Sequence, residues 1–265
     1  MSAASTTSPA GGSPTDTGVD ARFNHPTHQV LQVAIRYVLL DVEGTTSSLD
    51  YVHGVMYPFA RAQLHDFVLT HAKDPEVRRA LYQVSDALCA EQGLGAVDDE
   101  TCMQALLDWS DEDRKHPALK TLQGLIWAEG FKDGILKAHI YPDVPPILRA
   151  WVEAGLKLGI YSSGSVTAQR FFFGHTEQGD LTPLLSHYFD TSTGPKREAA
   201  SYRSIAHDVS LPAEDILFLS DVGGELDAAA AAGMHTTQVV RAGTHPVHGH
   251  AHVADFAGLR IPVPA

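Results

Sequence analysis

Two cysteines, Cys89 and Cys102, are all that 265 residues carry, which excludes both a disulfide framework and a cysteine metal site. Both lie in segments with helical patterning, where a reduced cytoplasmic thiol pair is the expectation. Basic residues are scarce as well: 19 Lys and Arg against 32 Asp and Glu leave a formal net charge of −13. No local basic patch offsets it, so neither nucleic acid nor an anionic membrane is expected as a partner. Apolar runs fall well short of the roughly 18 residues of a membrane span, and the N-terminus has neither a basic start nor an apolar stretch behind it. A soluble, cytoplasmic, monomeric protein is expected. What the chain does have is an ordinary share of hydrophobic residues, 44%, and enough length for one large domain or a core with a second lobe.

Residues 1–28 are rich in Ser, Thr, Pro, Gly and Ala without periodicity, a composition that cannot bury enough apolar surface to offset chain entropy. They are expected to form a disordered extension that does no chemistry. Between 53 and 138 the pattern is helical. Val77, Leu81, Val84 and Leu88 recur at the spacing of one helix face, and Leu119, Leu122 and Ile126 repeat it. Gly93, Gly95 and the charged run 111–115 punctuate the region. Compact domains rarely hold more than about 15 unstructured residues in one connection, so this insert is expected to be a helical cap with packing of its own. From Tyr141 onward strands and helices alternate. A helix opening at Pro142-Asp143-Val144-Pro145-Pro146 and closing at Gly155 precedes strands at 157–161, 187–190, 216–219 and 237–240, with helices around 202–209 and 225–232. That alternation predicts an α/β fold: a doubly wound, mostly parallel, Rossmann-like sheet over 29–52 and 139–265, with the helical cap of 53–138 inserted after the first strand.

The stretch that organises this plan is Val38-Leu39-Leu40-Asp41-Val42-Glu43-Gly44-Thr45-Thr46. An apolar run ends in one carboxylate, then a second, a glycine and two hydroxyls, as when a buried strand delivers Asp41 to a tight turn at the edge where open sheets bind ligands. Asp41 is the candidate nucleophile toward phosphorus and Glu43 the candidate proton carrier, with magnesium held beside them. The plainer reading is a strand end followed by a polar turn. Three further positions follow strands. Ser162-Ser163-Gly164-Ser165 opens a helix whose free N–H groups and hydroxyls suit a phosphate, or form an ordinary N-cap cluster. Lys196, in Gly194-Pro195-Lys196-Arg197-Glu198, can neutralise phosphate charge or sit solvated at the surface. Asp221 ends the most apolar strand of the second half and is a hard oxygen ligand or an N-cap. Glu225 and Asp227 then fall in a first helical turn, where acidic charge is favourable in itself, and for Asp227 that is the preferred account.

Asp-x-Glu-Gly-Thr-Thr-Ser-Ser resembles the first motif of the haloacid dehalogenase superfamily in the variant carried by its enolase-phosphatase branch, where glutamate replaces the usual second aspartate. Tyr161-Ser162-Ser163-Gly164-Ser165 resembles the second motif, Lys196 falls where the third places a lysine, and Asp221 matches the last. The likeness extends from 37 to 243 and takes in Leu122-Gln123-Gly124-Leu125-Ile126-Trp127, His139-Ile140-Tyr141-Pro142-Asp143-Val144 and Phe173-Gly174-His175. The resemblance implies a magnesium-dependent enzyme that enolises and then dephosphorylates 2,3-diketo-5-methylthiopentyl 1-phosphate to the acireductone in methionine salvage. It implies an aspartyl-phosphate on Asp41, one Mg2+ held by Asp41, Asp221 and the Glu43 backbone carbonyl, and phosphate contacts from Ser162, Ser163 and Lys196. Glu43 is the expected enolisation base, and Leu122, Ile126 and Trp127 are candidates for an apolar slot or for cap-core packing. Another small-metabolite phosphatase of the superfamily is the alternative. A dehalogenase has no use for Glu43 and Asp221, and a non-catalytic binding protein has no reason to keep clustered carboxylates. His245, His248, His250 and His252 lack an acidic partner at metal-site spacing and read as a polar turn.

Overall fold

The protein's structure, a computed structural model, describes residues 29–31, 34–93, 95 and 97–262; the extension expected at 1–28 lies outside them. A short β1 (Gln29–Val30) comes first. The apolar run after it forms β2 (Tyr37–Leu40), buried at every position, as a strand in the middle of a parallel sheet must be. The chain then leaves the sheet for α1 (Leu49–Tyr51), a five-residue π turn over Val52–Met56, α2 (Tyr57–Thr70), α3 (Pro75–Gln92), α4 (Asp99–Asp111) and α5 (Pro117–Lys132). It returns through α6 (Val144–Glu153) and alternates: β3 (Lys157–Tyr161), α7 (Val166–Gly174), β4 (His187–Phe189), α8 (Ala199–Asp208), β5 (Ile216–Ser220), α9 (Gly223–Ala231) and β6 (His235–Val239). Two-residue strands β7 (His252–Val253) and β8 (Leu259–Arg260) close it, and β8 pairs with β1 in a small sheet of its own.

The main sheet has the order β4-β3-β2-β5-β6-β7, and every pairing is parallel. From β2 the chain winds outward through β3 and β4, then jumps back to β5 on the other side. This reversal places the crevice where a doubly wound sheet binds ligands next to the end of β2. Alternation along β2 divides the core: Val38 and Leu40 face one apolar cluster, Tyr37 and Leu39 the other, as the two-residue period of a strand requires. The strand expected at 237–240 begins two residues earlier, at His235; His235 and Thr236 are half-buried and carry no apolar signal.

The helical stretch follows its periodicity. Asp74 caps α3 by accepting from Glu76 and Val77 N–H, Pro75 occupies the first turn, and Gly93 ends it at φ 67°. Val77, Leu81, Val84 and Leu88 are all buried. Removing each from water is worth about 1.5–3 kcal/mol, so this stripe holds the helix in place. α4 ends within the charged run, and the helices begin at Leu49, earlier than the expected 53, because the Ser48 hydroxyl caps α1 by accepting from Tyr51 N–H. Nor does the insert have an isolated core: Leu64, Leu106 and Leu122 belong to the same buried cluster as Val38, Leu40 and Leu158 of the sheet.

One position in the sheet depends on having no side chain. At Gly159, in β3, a Cβ would run into the buried Tyr37 hydroxyl and ring, which a hydrogen bond to His187 Nδ1 holds in place at 3.1 Å. Gly159→Ala is expected to cost about 1–3 kcal/mol of folding free energy in urea unfolding. Adding Tyr37→Phe should return part of the loss; no recovery would mean that the hydroxyl is not the obstruction.

Candidate active site

Leu40 lies opposite Leu219 in the register, so Asp41 emerges beside Ser220. The Asp41 carboxylate is almost wholly buried, 3% exposed, and its oxygens are used. Oδ1 accepts from Val42 N–H at 2.7 Å and from Lys196 Nζ at 2.6 Å, and Oδ2 accepts from the Ser220 hydroxyl at 3.0 Å. The chain turns away at once, with the N–H groups of Thr46 and Ser47 both donating to the Val42 carbonyl. Gly44 makes the turn at φ 73°, and a Cβ there would run into the Asp221 carboxylate. Glycine is required twice over, for the backbone angle and for that close approach.

Lys196 comes from the loop after β4, and three successive carbonyls hold that loop down. Tyr161 donates to Gly194 O at 2.8 Å, Ser201 to Pro195 O at 2.7 Å and Tyr202 to Lys196 O at 2.7 Å. With its backbone fixed by buried hydroxyls, the lysine extends inward and bridges Asp41 to Glu225, 2.7 Å away. Burial opposes its charge, yet Asp41 and Glu225 together lift the ammonium above the usual lysine range. Glu225 too lies above the ordinary range of its kind: burial, then the Asp41 charge, raise its carboxyl, with Lys196 opposing. Asp221 N–H donates to Thr45 Oγ1 at 3.0 Å, while Asp221 Oδ1 is buried with no hydrogen-bond partner. Burial and the Asp41 charge push Asp221 up to about 6.

On the β3 side Ser162 is buried, and its hydroxyl accepts from Gly164 N–H at 3.3 Å. Ser163 is exposed, and Ser165 caps α7 by accepting from Ala168 N–H at 3.2 Å. Asp190, at the end of β4, accepts from Val166 N–H at 3.1 Å, also in the first turn of α7. These residues and the helical insert enclose a cavity of about 290 Å³, walled by Glu43, Ser163 and Asp190 below and by Tyr57, Lys120 and Trp127 above. Burial, followed by the Asp41 charge, raises the Glu43 carboxyl above its ordinary value, against His53, Lys196 and Lys115. Of the three apolar candidates only Trp127 reaches this cavity, its Nε1 donating to the Met56 carbonyl at 2.7 Å. Leu122 is fully buried in the core, and Ile126 lines a separate hollow against α2. Val52 lines the cavity beside Trp127, while Met56 and Phe172 line a smaller adjoining hollow of about 50 Å³ that Glu43 and Val52 also reach.

No family model matches the chain. Curated relatives do: an "Enolase-phosphatase E1" of Pectobacterium carotovorum is 49% identical over 228 residues, spanning 86% of this chain and 98% of its own. One from Pseudomonas aeruginosa is 50% identical over 229 residues, spanning 86% and 100%. The chain belongs to the enolase-phosphatase E1 family. It is accordingly a hydrolase, a phosphatase of the haloacid dehalogenase-like superfamily. Among solved structures, the UTR4 protein of Saccharomyces cerevisiae is similar with a TM-score of 0.68 and 32% identity, over 84% of this chain and 98% of that one. CbbY of Rhodobacter sphaeroides, at 16% identity and a TM-score of 0.52 over 84% and 96%, shares the fold.

Within the family's architecture Asp41, Glu43, Lys196, Ser162, Ser163 and Asp221 all stand at one edge of the sheet. Two neighbours join them: Glu225, weighed above as a first-turn charge, and Ser220. Glu225 is a buried partner of Lys196 and of the Ser220 hydroxyl, 3.1 Å away, and more than a favourable first-turn charge. Ser220 itself gave a signal, a hydroxyl closing an apolar strand. Asp227, by contrast, is a surface charge paired with His250 at 2.9 Å. His250 also meets Thr236 at 2.9 Å, and among the described residues no three His, Cys, Asp or Glu side chains gather as a metal cluster.

Because Asp221 holds its proton more tightly folded than unfolded, its charge costs stability above pH 6, and that cost fades as the pH falls toward the ordinary carboxylate range. In EDTA at pH 8, Asp221→Asn is expected to be the more stable protein by on the order of 1 kcal/mol, a figure discounted for the carboxylate's remaining solvent contact. Thermal unfolding should show the gain shrinking between about pH 6 and pH 4. Equal stability at pH 8 would contradict the assignment.

Proposed function

We propose that this enzyme converts 2,3-diketo-5-methylthiopentyl 1-phosphate to the acireductone and phosphate, a methionine-salvage step, in the cytoplasm. The observation that carries the reading is a buried Asp41 compensated by Lys196 beside an Asp221 oxygen that has no partner in the protein. An orphaned buried carboxylate oxygen is costly unless something else meets it. The donors available are two carboxylates and the Glu43 backbone carbonyl, all hard oxygens, which fits magnesium, a cation that retains several waters and takes substrate phosphate oxygens for the rest. Asp41, Asp221 and that carbonyl would hold it; bound there, it supplies charge neutralisation for the phosphoryl group. The two free thiols suit a reducing compartment.

Asp41 attacks phosphorus, the ester oxygen leaves with its electron pair, and water then cleaves the aspartyl-phosphate. Lys196 spreads the developing negative charge together with the Ser162 hydroxyl and the N–H groups that open α7. Enolisation comes first. Glu43 faces the cavity under the helical stretch of 49–132, which acts as a cap, and its raised pKa suits a group that takes the proton from the carbon bearing the phosphate ester. The apolar surface of Val52 and Trp127 in that cavity receives the methylthio end.

With magnesium, phosphate release from the diketo ester should far exceed release from p-nitrophenyl phosphate, and Asp41→Asn should lower it by at least about a thousandfold. Turnover of the generic ester alone would overturn the substrate. Glu43→Gln should slow the enolisation phase of a stopped-flow trace by roughly a hundredfold or more, while p-nitrophenyl phosphate is still hydrolysed. Full enolisation in that variant would remove Glu43 from its role.

A further inference from the structure

The guanidinium of Arg241 is buried, 7% exposed, and both sides of its donor fork are engaged. Nη1 and Nη2 donate to Asp143 Oδ1 and Oδ2 at 2.8 and 3.0 Å, and Nε and Nη2 donate to the Thr45 carbonyl at 3.2 and 3.0 Å. The plane lies over the Tyr141 ring at 4.1 Å and is 5.4 Å from that of Phe256. Asp143 neutralises the buried cation, and the bonds to Thr45 satisfy donors that the carboxylate leaves over; in doing so they tie the guanidinium to Thr45. Thr45 is the residue whose hydroxyl accepts from Asp221 N–H, in the turn that starts at Asp41 and packs Gly44 against the Asp221 carboxylate. Arg241 therefore grips, by its carbonyl, the residue that ties the end of β5 to the end of β2. By holding Asp143, in the returning segment, and Thr45 together it also joins both passages of the helical insert, beside the bond from Tyr141 N–H to Thr46 O at 3.1 Å.

We infer that Arg241 is a positioning residue: acting through Thr45, it sets the spacing of the Asp41 and Asp221 carboxylates and hence the affinity of the site for a divalent cation. The inference rests on the magnesium reading of those two carboxylates. A planar fork makes paired bonds to a carboxylate and to a carbonyl at once, four in all, whereas an ammonium has three donors on one nitrogen and cannot reproduce both pairs.

The test is Mn2+ binding to the full chain without substrate, followed by the EPR signal of the free ion. Arg241→Lys is expected to weaken binding by roughly tenfold or more, the usual effect of losing a group that orients a metal ligand. Thr45→Val, which cuts the link to Asp221 but leaves the ion pair in place, should do the same and keeps the test open if the lysine variant does not fold. The double variant should lose little beyond either single one, because both break the same path. Variants that melt earlier but bind Mn2+ as the parent does would show a merely structural role and overturn the proposal, as would additive losses. Failure of the parent itself to bind Mn2+, or undiminished binding by Asp221→Asn, would overturn the magnesium reading before any Arg241 comparison is made.

Discussion

Three ionisable groups, Asp41, Lys196 and Glu225, meet in a space that water barely reaches, and only the lysine is basic. Buried carboxylates without a counter-charge are among the most costly features a fold can carry, and removing one partner from such a cluster typically costs about 3–5 kcal/mol. The surrounding structure is arranged to deliver that cation. Tyr161 and Tyr202 are fully buried aromatic residues whose hydroxyls are spent on the carbonyls of the lysine loop, and Ser201 takes the carbonyl between them. Lysine is a flexible side chain, so an ammonium held within 2.6–2.7 Å of two carboxylates needs a backbone that does not move. The fixed position of the lysine here rests on aromatic packing on the far face of the sheet.

Parallel topology makes the rest of the convergence inexpensive to specify. In a sheet whose strands all point one way, a residue that simply follows its strand arrives at the same edge as its counterparts. Asp41, Ser162, Asp190 and Asp221 each occupy that position, after β2, β3, β4 and β5. The reversal of winding at β2 leaves room between the outgoing crossovers, and the helical insert, which leaves the chain just after Asp41, covers it.

These strand-end residues were legible because apolar runs and turn residues are local signals. So were the helices of the insert, whose buried stripes coincide with the spacing of Val77, Leu81, Val84 and Leu88. What was not legible depends on partners remote in the chain. Nothing near Glu225 distinguishes a glutamate that steadies a helix end from one that binds a lysine brought in from another loop. Arg241 meets Asp143 and Thr45 across sequence separations of 98 and 196 residues, with no periodicity to announce it. At α5 periodicity identifies the buried face of Leu119, Leu122 and Ile126 but not how many faces are covered. Leu122 and Ile126 turn to the core while Gln123, Gly124 and Trp127, buried as well, turn to the cavity.

The two carboxylates of the opening motif end in unlike surroundings, and the backbone between them is the cause. Asp41 continues the line of β2 into a nest of donors: an N–H, an ammonium and a hydroxyl. Two residues on, with the turn begun, Glu43 lines the cavity together with Val52 and Trp127, and burial, followed by the like charge of Asp41, weakens its acidity. Donors around one acid and apolar surface around the other give two carboxylates within three residues unlike acidities, as the proposed division into nucleophile and proton acceptor requires. A side chain one methylene longer than aspartate suits that division. On the proposed mechanism a carbon-bound proton would have to be removed in the cavity beneath the helices of 49–132, and of the two acids Glu43 is the one that lines it.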